Sequence, residues 1–268
     1  LFIWTVVFEI LWYGDRSISD TPVYYDYASR ISTGMLPYRD FASEYPPVAM
    51  LLFSLPSLFS GAAYMWFVIA FSAEMLLFSC GIVWLLSVIA WKQWRNVGRV
   101  AGVLATYSVL MLCLGSIVEL RFDLAAAFLI LASLACFVTD RRTAAWIILG
   151  AGIMTKIIPV LIAPLFLISL YRRRLYREMI TGPVSMIVSA ALIALPFLLT
   201  SPAGLANSFL YHVERPLQLE SSWSTPLLLL AKYSGYDVRI MNSYGSHNVY
   251  ASLSGTLFTL TLSTSIPP

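Results

Sequence analysis

The chain has 268 residues, 59% of them apolar and only 12% charged, about half the charged share of a soluble domain. Net charge is +3 and no basic stripe interrupts the apolar runs, so a soluble globular surface and a nucleic-acid-binding face are both excluded. Aromatic residues reach 14%, with 8 Trp and 15 Tyr, the side chains that anchor helices at lipid headgroups.

The first apolar run, Leu1 to Tyr13, is shorter than the ~20 residues a crossing needs. The chain does not open on Met. It reads as a piece of a longer protein, cut within its first helix, and the closing run Val249 to Ile266 reads as a second incomplete element. No basic n-region or cleavage site marks a signal peptide. A polar stretch, Gly14 to Tyr45, comes next. Within it, Thr21 to Thr33 has helical spacing with Val23, Tyr27 and Ile31 on one face. That predicts a short amphipathic helix lying in the interface, ended by Gly34. Pro46-Pro47 opens an apolar segment to Phe59 that is too short for a full crossing and reads as a half-helix.

Ala62 to Trp91 spans, and Lys92, Arg95 and Arg99 form a basic loop. Val100 to Val118 spans back to a charged junction, Glu119 to Asp123. Leu124 to Thr139 returns to Asp140, Arg141 and Arg142. Ala144 to Leu170 is interrupted at Thr155-Lys156 and Pro159, and ends on Arg172, Arg173, Arg174 and Arg177. Met179 to Leu199 spans, and Thr200 to Asn248 is a long polar region. The expected fold class is all-α: one polytopic transmembrane helix bundle over 1–268, with loops on its outer face and short amphipathic or half helices. Cys80, Cys113 and Cys136 lie inside apolar runs and read as buried free thiols.

Orientation follows from the positive-inside rule. Loops 92–99, 140–142 and 171–178 hold nine Lys or Arg against two acids, Asp140 and Glu178, and are placed in the cytoplasm. For 144–170 to begin and end there, it must be two short helices meeting at Thr155-Lys156. Residues 14–45, 119–123, Lys156 and 200–248 then all face the outer side.

Several residues on that side are candidates for chemistry, each with a plainer reading beside it. Asp20 is an N-cap or an acid held over the bundle. Glu44 is a helix-start carboxylate favoured by the macrodipole, or part of a pocket. Arg121 and Asp123 form a mutual ion pair sealing a turn, with Glu119 as a possible third member, or they mark a site, since ionisable groups at that depth are costly. Lys156 snorkels or presents its ammonium to an anion. Tyr211 to Trp223, dense in polar groups at His212, Arg215, Gln218 and Glu220, is an exposed loop or a cover over the outer face. His247 reads as a surface residue. No metal-ligand spacing, P-loop or nucleophile elbow is visible. Neither a metal nor a cofactor is expected.

The run Asp20-Thr-Pro-Val-Tyr-Tyr, then Gly34-Met-Leu-Pro-Tyr38-Arg-Asp40-Phe, then Glu44-Tyr45-Pro46-Pro47 resembles the first outer loop of GT-C fold glycosyltransferases. The nearest group is the polyprenyl-phosphate-mannose-dependent one that includes bacterial alpha-mannosyltransferases, similar to glycosyltransferase family 87. Gly152-Ile-Met-Thr155-Lys156 followed by Pro159 is similar to a paired-short-helix element of that superfamily, and His212 to Ser221 to a later outer loop. Arg121-Phe122-Asp123 departs from the Gln/Asn-containing turn of part of the group. The resemblance implies a GT-C-like enzyme of the bacterial plasma membrane acting at the outer face. It would move mannose or another hexose, with inversion, from a polyprenyl-phosphate carrier to a hydroxyl of a glycolipid or glycan acceptor. Asp20 would be the general base. Glu44, Arg121, Asp123, Lys156, His212, Arg215, Gln218 and Glu220 would bind substrate. Membrane lipid is the expected surrounding partner, and nucleic acid is not one. Two other readings fit the outward charges: a transporter or flippase of a lipid-linked sugar, and a non-catalytic membrane scaffold.

Overall fold

The computed structural model describes residues 19–60 and 63–251, so the expected first helix with Glu9 and the closing run beyond Ala251 lie outside the described residues. The chain divides into two compact units, residues 1–208 and 209–268.

The first unit opens with α1 (Thr21–Ser32), started by Pro22 and closed where Gly34 takes a φ of +88°. α1 buries Thr21, Tyr24 and Ala28 rather than the expected Val23, Tyr27 and Ile31 face. Protein contacts decide this. The Thr21 hydroxyl bonds Tyr64 Oη at 2.9 Å, and Tyr24 stacks on Phe53 at 4.1 Å between centroids. The helix therefore docks one face on the protein.

α2 (Pro47–Ser54) and α3 (Ser57–Ser60) form the expected short segment. α4 (Tyr64–Trp94) and α5 (Val97–Leu114) follow, then the single turn α6 (Ile117–Leu120) and α7 (Asp123–Val138). α8 (Arg142–Ile153), a 3-10 turn at Ile158–Ile162 and α9 (Ala163–Arg172) realise the broken apolar run. α10 (Tyr176–Thr200) completes the bundle. Among the described residues, α4, α5 and α10 are long and apolar enough to cross a membrane. The chain is thus an all-α membrane helix bundle.

The break between α8 and α9 has a local cause. Pro159 lacks an N–H and cannot continue a helix, while the N–H groups of Thr155 and Lys156 both turn back to Gly152 O at 3.0 Å. The chain reverses there and returns to the end it left. At that end Arg142 bonds Glu178 at 2.8 Å and Asp140 at 2.7 Å, Arg173 approaches Asp140 at 3.5 Å, and Lys92 donates to Val138 O at 2.6 Å. The three basic loops therefore gather at one end of the first unit, as the charge pattern requires.

The core between α7, α8, α9 and α10 is built on Trp146, Leu149, Phe137, Phe166 and Leu170. Phe137 and Phe166 stack at 4.0 Å. α8 and α10 meet where Gly150 faces Met186: a Cβ on Gly150 would stand 2.4 Å from Met186 O. Such close backbone approach through a small residue is how membrane helices gain contact without a hydrophobic driving force. Cys80 and Cys113 are free but exposed on the helix surfaces, and Cys136 is half-buried, so the expectation of buried thiols fails for the first two.

The polar region 200–248 is more ordered than its composition implies. α11 (Pro202–Glu214) leads from the first unit into the second, which contains α12 (Ser224–Ser234) and a hairpin of β1 (Arg239–Ser243) with β2 (Ser246–Tyr250). Tyr244 and Gly245 both take positive φ, the two-residue turn that suits strand twist. Leu217, Leu227 and Val249 form its small core.

Gly150→Ala is expected to lower the unfolding midpoint of the detergent-solubilised protein by roughly 2–10 °C, since overpacking costs ~1–3 kcal/mol. Gly102→Ala is the control, because nothing lies within 4 Å of a Cβ there. Equal midpoints for both variants would show that α8 and α10 do not meet at Gly150.

Candidate active site

Four of the charged residues picked out in the sequence come together in the first unit. Asp20 caps α1 by position, but its side chain makes no capping bond. It turns instead to Arg121, with Nε to Oδ2 at 3.3 Å, and Tyr24 Oη lies 3.5 Å from the same oxygen. Asp123 opens α7 and forms an ion pair with Lys156. The expected Arg121–Asp123 pair is thus replaced by two pairs, each joining this turn to a distant segment. Glu119 faces into the bundle at 3% exposure and accepts from Ser72 Oγ at 3.2 Å.

Phe122 lies between Arg121 and Asp123 in the chain, and its ring packs against Lys156. Lys156 Nζ sits 5.2 Å from its ring centroid, a cation–π distance. The ring's other contacts are edge-to-face, with Tyr24 at 5.8 Å, Tyr45 at 5.4 Å and Phe53 at 5.3 Å. Burial raises the Tyr24 phenol above its ordinary range, and the charges of Asp20 and then Asp123 raise it further. Tyr45 is raised the same way, by burial first and then by Tyr24, Glu44 and Asp20. Both phenols stay protonated and act as donors.

The first-loop motif is tied to the Lys156 segment by main chain. Val48 N–H donates to Met154 O at 2.8 Å, so the start of α2 sits on the end of α8. Tyr38 fixes the other side. Its hydroxyl donates to Tyr45 O at 2.6 Å, its carbonyl accepts from Ser201 Oγ at 2.9 Å, and its ring packs edge-on to Phe197. Its backbone is left-handed, at φ 67°. Glu44, half-buried, lies near enough for its charge to raise the Tyr27 phenol after burial does.

The other loop acids are spent on local pairs. Asp26 binds Arg30 one turn along α1 at 2.9 Å. Asp40 takes a two-pronged bond from Arg39 at 2.8 Å and the Leu36 N–H, which hold its carboxyl down at about 2. Asp20 is therefore the first-loop aspartate that stands between a cation and the aromatic cluster.

α7 has 16 residues and is about 24 Å long, short of the ~30 Å hydrocarbon slab. α8 is shorter still, at 12 residues. Asp123 and the Thr155-Lys156 reversal stand at the ends of these two short helices. A cavity of about 340 Å³ opens beside this reversal, between α8 and α10, lined by Met154, Met186, Ile187, Ala190 and Ala194 among others.

The second unit carries the remaining candidates. Arg215 Nε donates to Ser246 Oγ at 3.3 Å, and with the Gln218 amide oxygen facing it, Arg215 Nη2 donates to that oxygen at 2.6 Å. Strand-like bonds hold this segment: Leu219 N–H to His247 O at 2.9 Å and Val249 N–H to Leu217 O at 2.7 Å. His212 is exposed, edge-on to Tyr211, and Glu220 and His247 are exposed. Among the described residues, no group of three or more His, Cys, Asp or Glu could hold a metal ion.

The sequence pointed to the charges but missed the aromatic cluster of Tyr24, Tyr45, Phe53 and Phe122, with Tyr38 as its brace. The density of Tyr in the first loop was the available signal. Compared with known proteins, the chain matches the family model of glycosyltransferase family 87 over residues 44–260. No curated protein and no solved structure matches it.

The two ion pairs can be separated from mere scaffolding. Lys156 and Asp123 are 33% and 52% exposed, so their coupling in stability should stay below about 1 kcal/mol. Lys156→Gln and Asp123→Asn, singly and combined, are expected to unfold within a few degrees of wild type while glycosyl transfer by Lys156→Gln falls ~10²–10³-fold. Unchanged transfer in Lys156→Gln would leave the pair with a structural role alone.

Proposed function

The chain belongs to glycosyltransferase family 87 and is a membrane glycosyltransferase, and we propose that it takes its sugar from a polyprenyl-phosphate carrier at the outer face of the bacterial plasma membrane. The sugar is a hexose, mannose by the family resemblance, and the acceptor is a hydroxyl of a glycolipid or glycan. The observation that carries this reading is the pair of salt bridges, Asp20–Arg121 and Asp123–Lys156, made by the two charged neighbours of Phe122 in the chain.

In the proposed step Asp20 takes the proton of the acceptor hydroxyl. The acceptor oxygen attacks the anomeric carbon from the face opposite the phosphate, so configuration inverts. The bond from that carbon to the phosphate oxygen breaks, and its electrons leave with the polyprenyl phosphate. Lys156 and Arg121 neutralise the charge that develops there. A donor phosphate competes with Asp20 for Arg121, so donor binding frees the carboxylate for its work as base. The apolar cavity beside Met154 offers room for the first part of an isoprenoid tail. Glu44 shapes the acceptor pocket beside Tyr45. His212, Arg215, Gln218 and Glu220 are the substrate-binding candidates of the second unit, where Arg215 is oriented by Ser246 and Gln218.

Asp20→Asn is expected to bind donor normally and transfer sugar at least ~100-fold more slowly, within the ~10²–10⁴ range of general-base catalysis. Asp26→Asn and Asp40→Asn should stay near wild type, because each of those acids is already committed to an exposed arginine. The measurement is release of polyprenyl phosphate from a panel of polyprenyl-phospho-sugars. Near-normal transfer by Asp20→Asn alongside loss in Glu44→Gln or Asp123→Asn would move the base to one of those residues. Normal transfer by all of these amides would remove each of these carboxylates as the general base.

Orientation is tested separately. A cysteine at exposed Thr33, in a background lacking the three native ones, should react with an impermeant reagent in intact cells. Protection until lysis would place the donor on the cytoplasmic side.

A further inference from the structure

α4 and α5 form a helical hairpin that turns at Arg95, whose backbone is left-handed, and at Asn96, whose side chain caps α5 by accepting from the Arg99 N–H at 3.0 Å. No residue of α5 is buried. A cavity of about 640 Å³ lies in the groove between the two helices. Its α5 wall is one helical face, from Arg99 through Gly102, Val103, Thr106 and Tyr107 to Leu110, with Leu86 and Trp94 opposite on α4.

The groove has a polar mouth and an apolar body. The hydroxyls of its body are already satisfied. Thr106 Oγ1 donates to Gly102 O at 2.9 Å within its own helix, and Tyr107 Oη is bonded to Ser79 Oγ at 2.9 Å. Gly102 leaves its centre open, with nothing within 4 Å of where a Cβ would stand. From Arg99 to Leu110 the groove runs about 16 Å. At the mouth stand Arg99 and Trp94, and the same turn carries Lys92 and Arg95. No acidic residue occurs between Lys92 and Leu114. Arg99 makes no ion pair among the described residues.

We propose that this groove binds one anionic phospholipid of the surrounding bilayer, with an acyl chain along Val103 and Leu110 and the phosphate at Arg99. Basic pockets between transmembrane helices recognise anionic headgroups in this way, and a tryptophan at the mouth suits the headgroup level. The cationic mouth, with no acid on its own turn or on α5, selects an anionic over a zwitterionic lipid. A polyprenyl carrier is disfavoured by position. Lys92 bonds Val138, so the mouth lies at the opposite end of α7 from Asp123. The bound lipid fills the space that α5 leaves open and holds the hairpin together.

The test is native mass spectrometry of protein extracted from vesicles of equal parts phosphatidylglycerol and phosphatidylethanolamine. Wild type should retain one phosphatidylglycerol. Gly102→Phe fills open space rather than a packed core and should lose that lipid at least tenfold. Val103→Trp, blocking the groove from the next position, should do the same and covers the case in which the first variant folds poorly. Arg99→Gln should keep a lipid but lose roughly fivefold in preference for the anionic one, the weight of one cation near a membrane surface. Equal retention by wild type and both filled variants would overturn the proposal and leave only unspecific annular lipid. A retained polyprenyl phosphate, or a second copy of the chain in place of lipid, would overturn it equally.

Discussion

A lysine in the middle of an apolar run needs an anion, and much of the first unit is arranged around that need. Lys156 sits where α8 stops and the chain reverses, at a depth the ~18 Å of α8 cannot carry across a bilayer. Its partner, Asp123, is supplied by the first residue of α7, where the helix N-terminus also favours a negative charge. The pairing fixes the level at which α7 begins and the level at which α8 ends. Those two levels define the floor on which the first loop rests.

The first loop reaches that floor through aromatic rings more than through charge. Tyr24 on α1, Tyr45 in the loop, Phe53 on α2 and Phe122 beside Lys156 contact one another at 4.1 to 5.8 Å between centroids. Rings give large contact area for few rotatable bonds, so the cluster can hold a loop that lacks regular structure between Gly34 and Pro46. Tyr38 adds a brace to α10. With both sides held, Asp20 is kept at Arg121 rather than swinging into solvent. The strain at Tyr38, a bulky residue in a left-handed backbone, is the cost of making three contacts from one residue.

The helical spans, the break at Thr155-Lys156 and the gathering of the basic loops were legible in the sequence, because each follows from a one-dimensional pattern: run length, a proline, or charge spacing. The four charges at the site were legible as costly residues in costly places. Their partners were not. Asp20 and Arg121 are a hundred positions apart, and sequence proximity favoured pairing Arg121 with Asp123. The buried face of α1 was misjudged for a related reason: periodicity shows which residues share a face, but the position of Phe53 and Tyr64 decides which face is covered. The second unit's hairpin was hidden because β1 is exposed and neither strand alternates apolar with polar residues. The turn at Tyr244-Gly245 was its sole local signal.

The charge balance of the site bears on how the proposed reaction proceeds. Arg121 and Lys156 offset Asp20 and Asp123, so this quartet is neutral at rest. A phosphodiester donor brings one negative charge. It is tolerated because it approaches cations that are already in place, and no side chain must be reorganised from water to meet it. When the acceptor proton passes to Asp20, one negative charge leaves the carboxylate, and the departing phosphate gains one as its bond to the sugar breaks. The total is unchanged, and the charge moves from Asp20 towards Arg121 and Lys156. A site built this way has cations in place for its leaving group. It needs both ion pairs intact before the donor arrives, and the aromatic cluster between them to keep the two carboxylates apart.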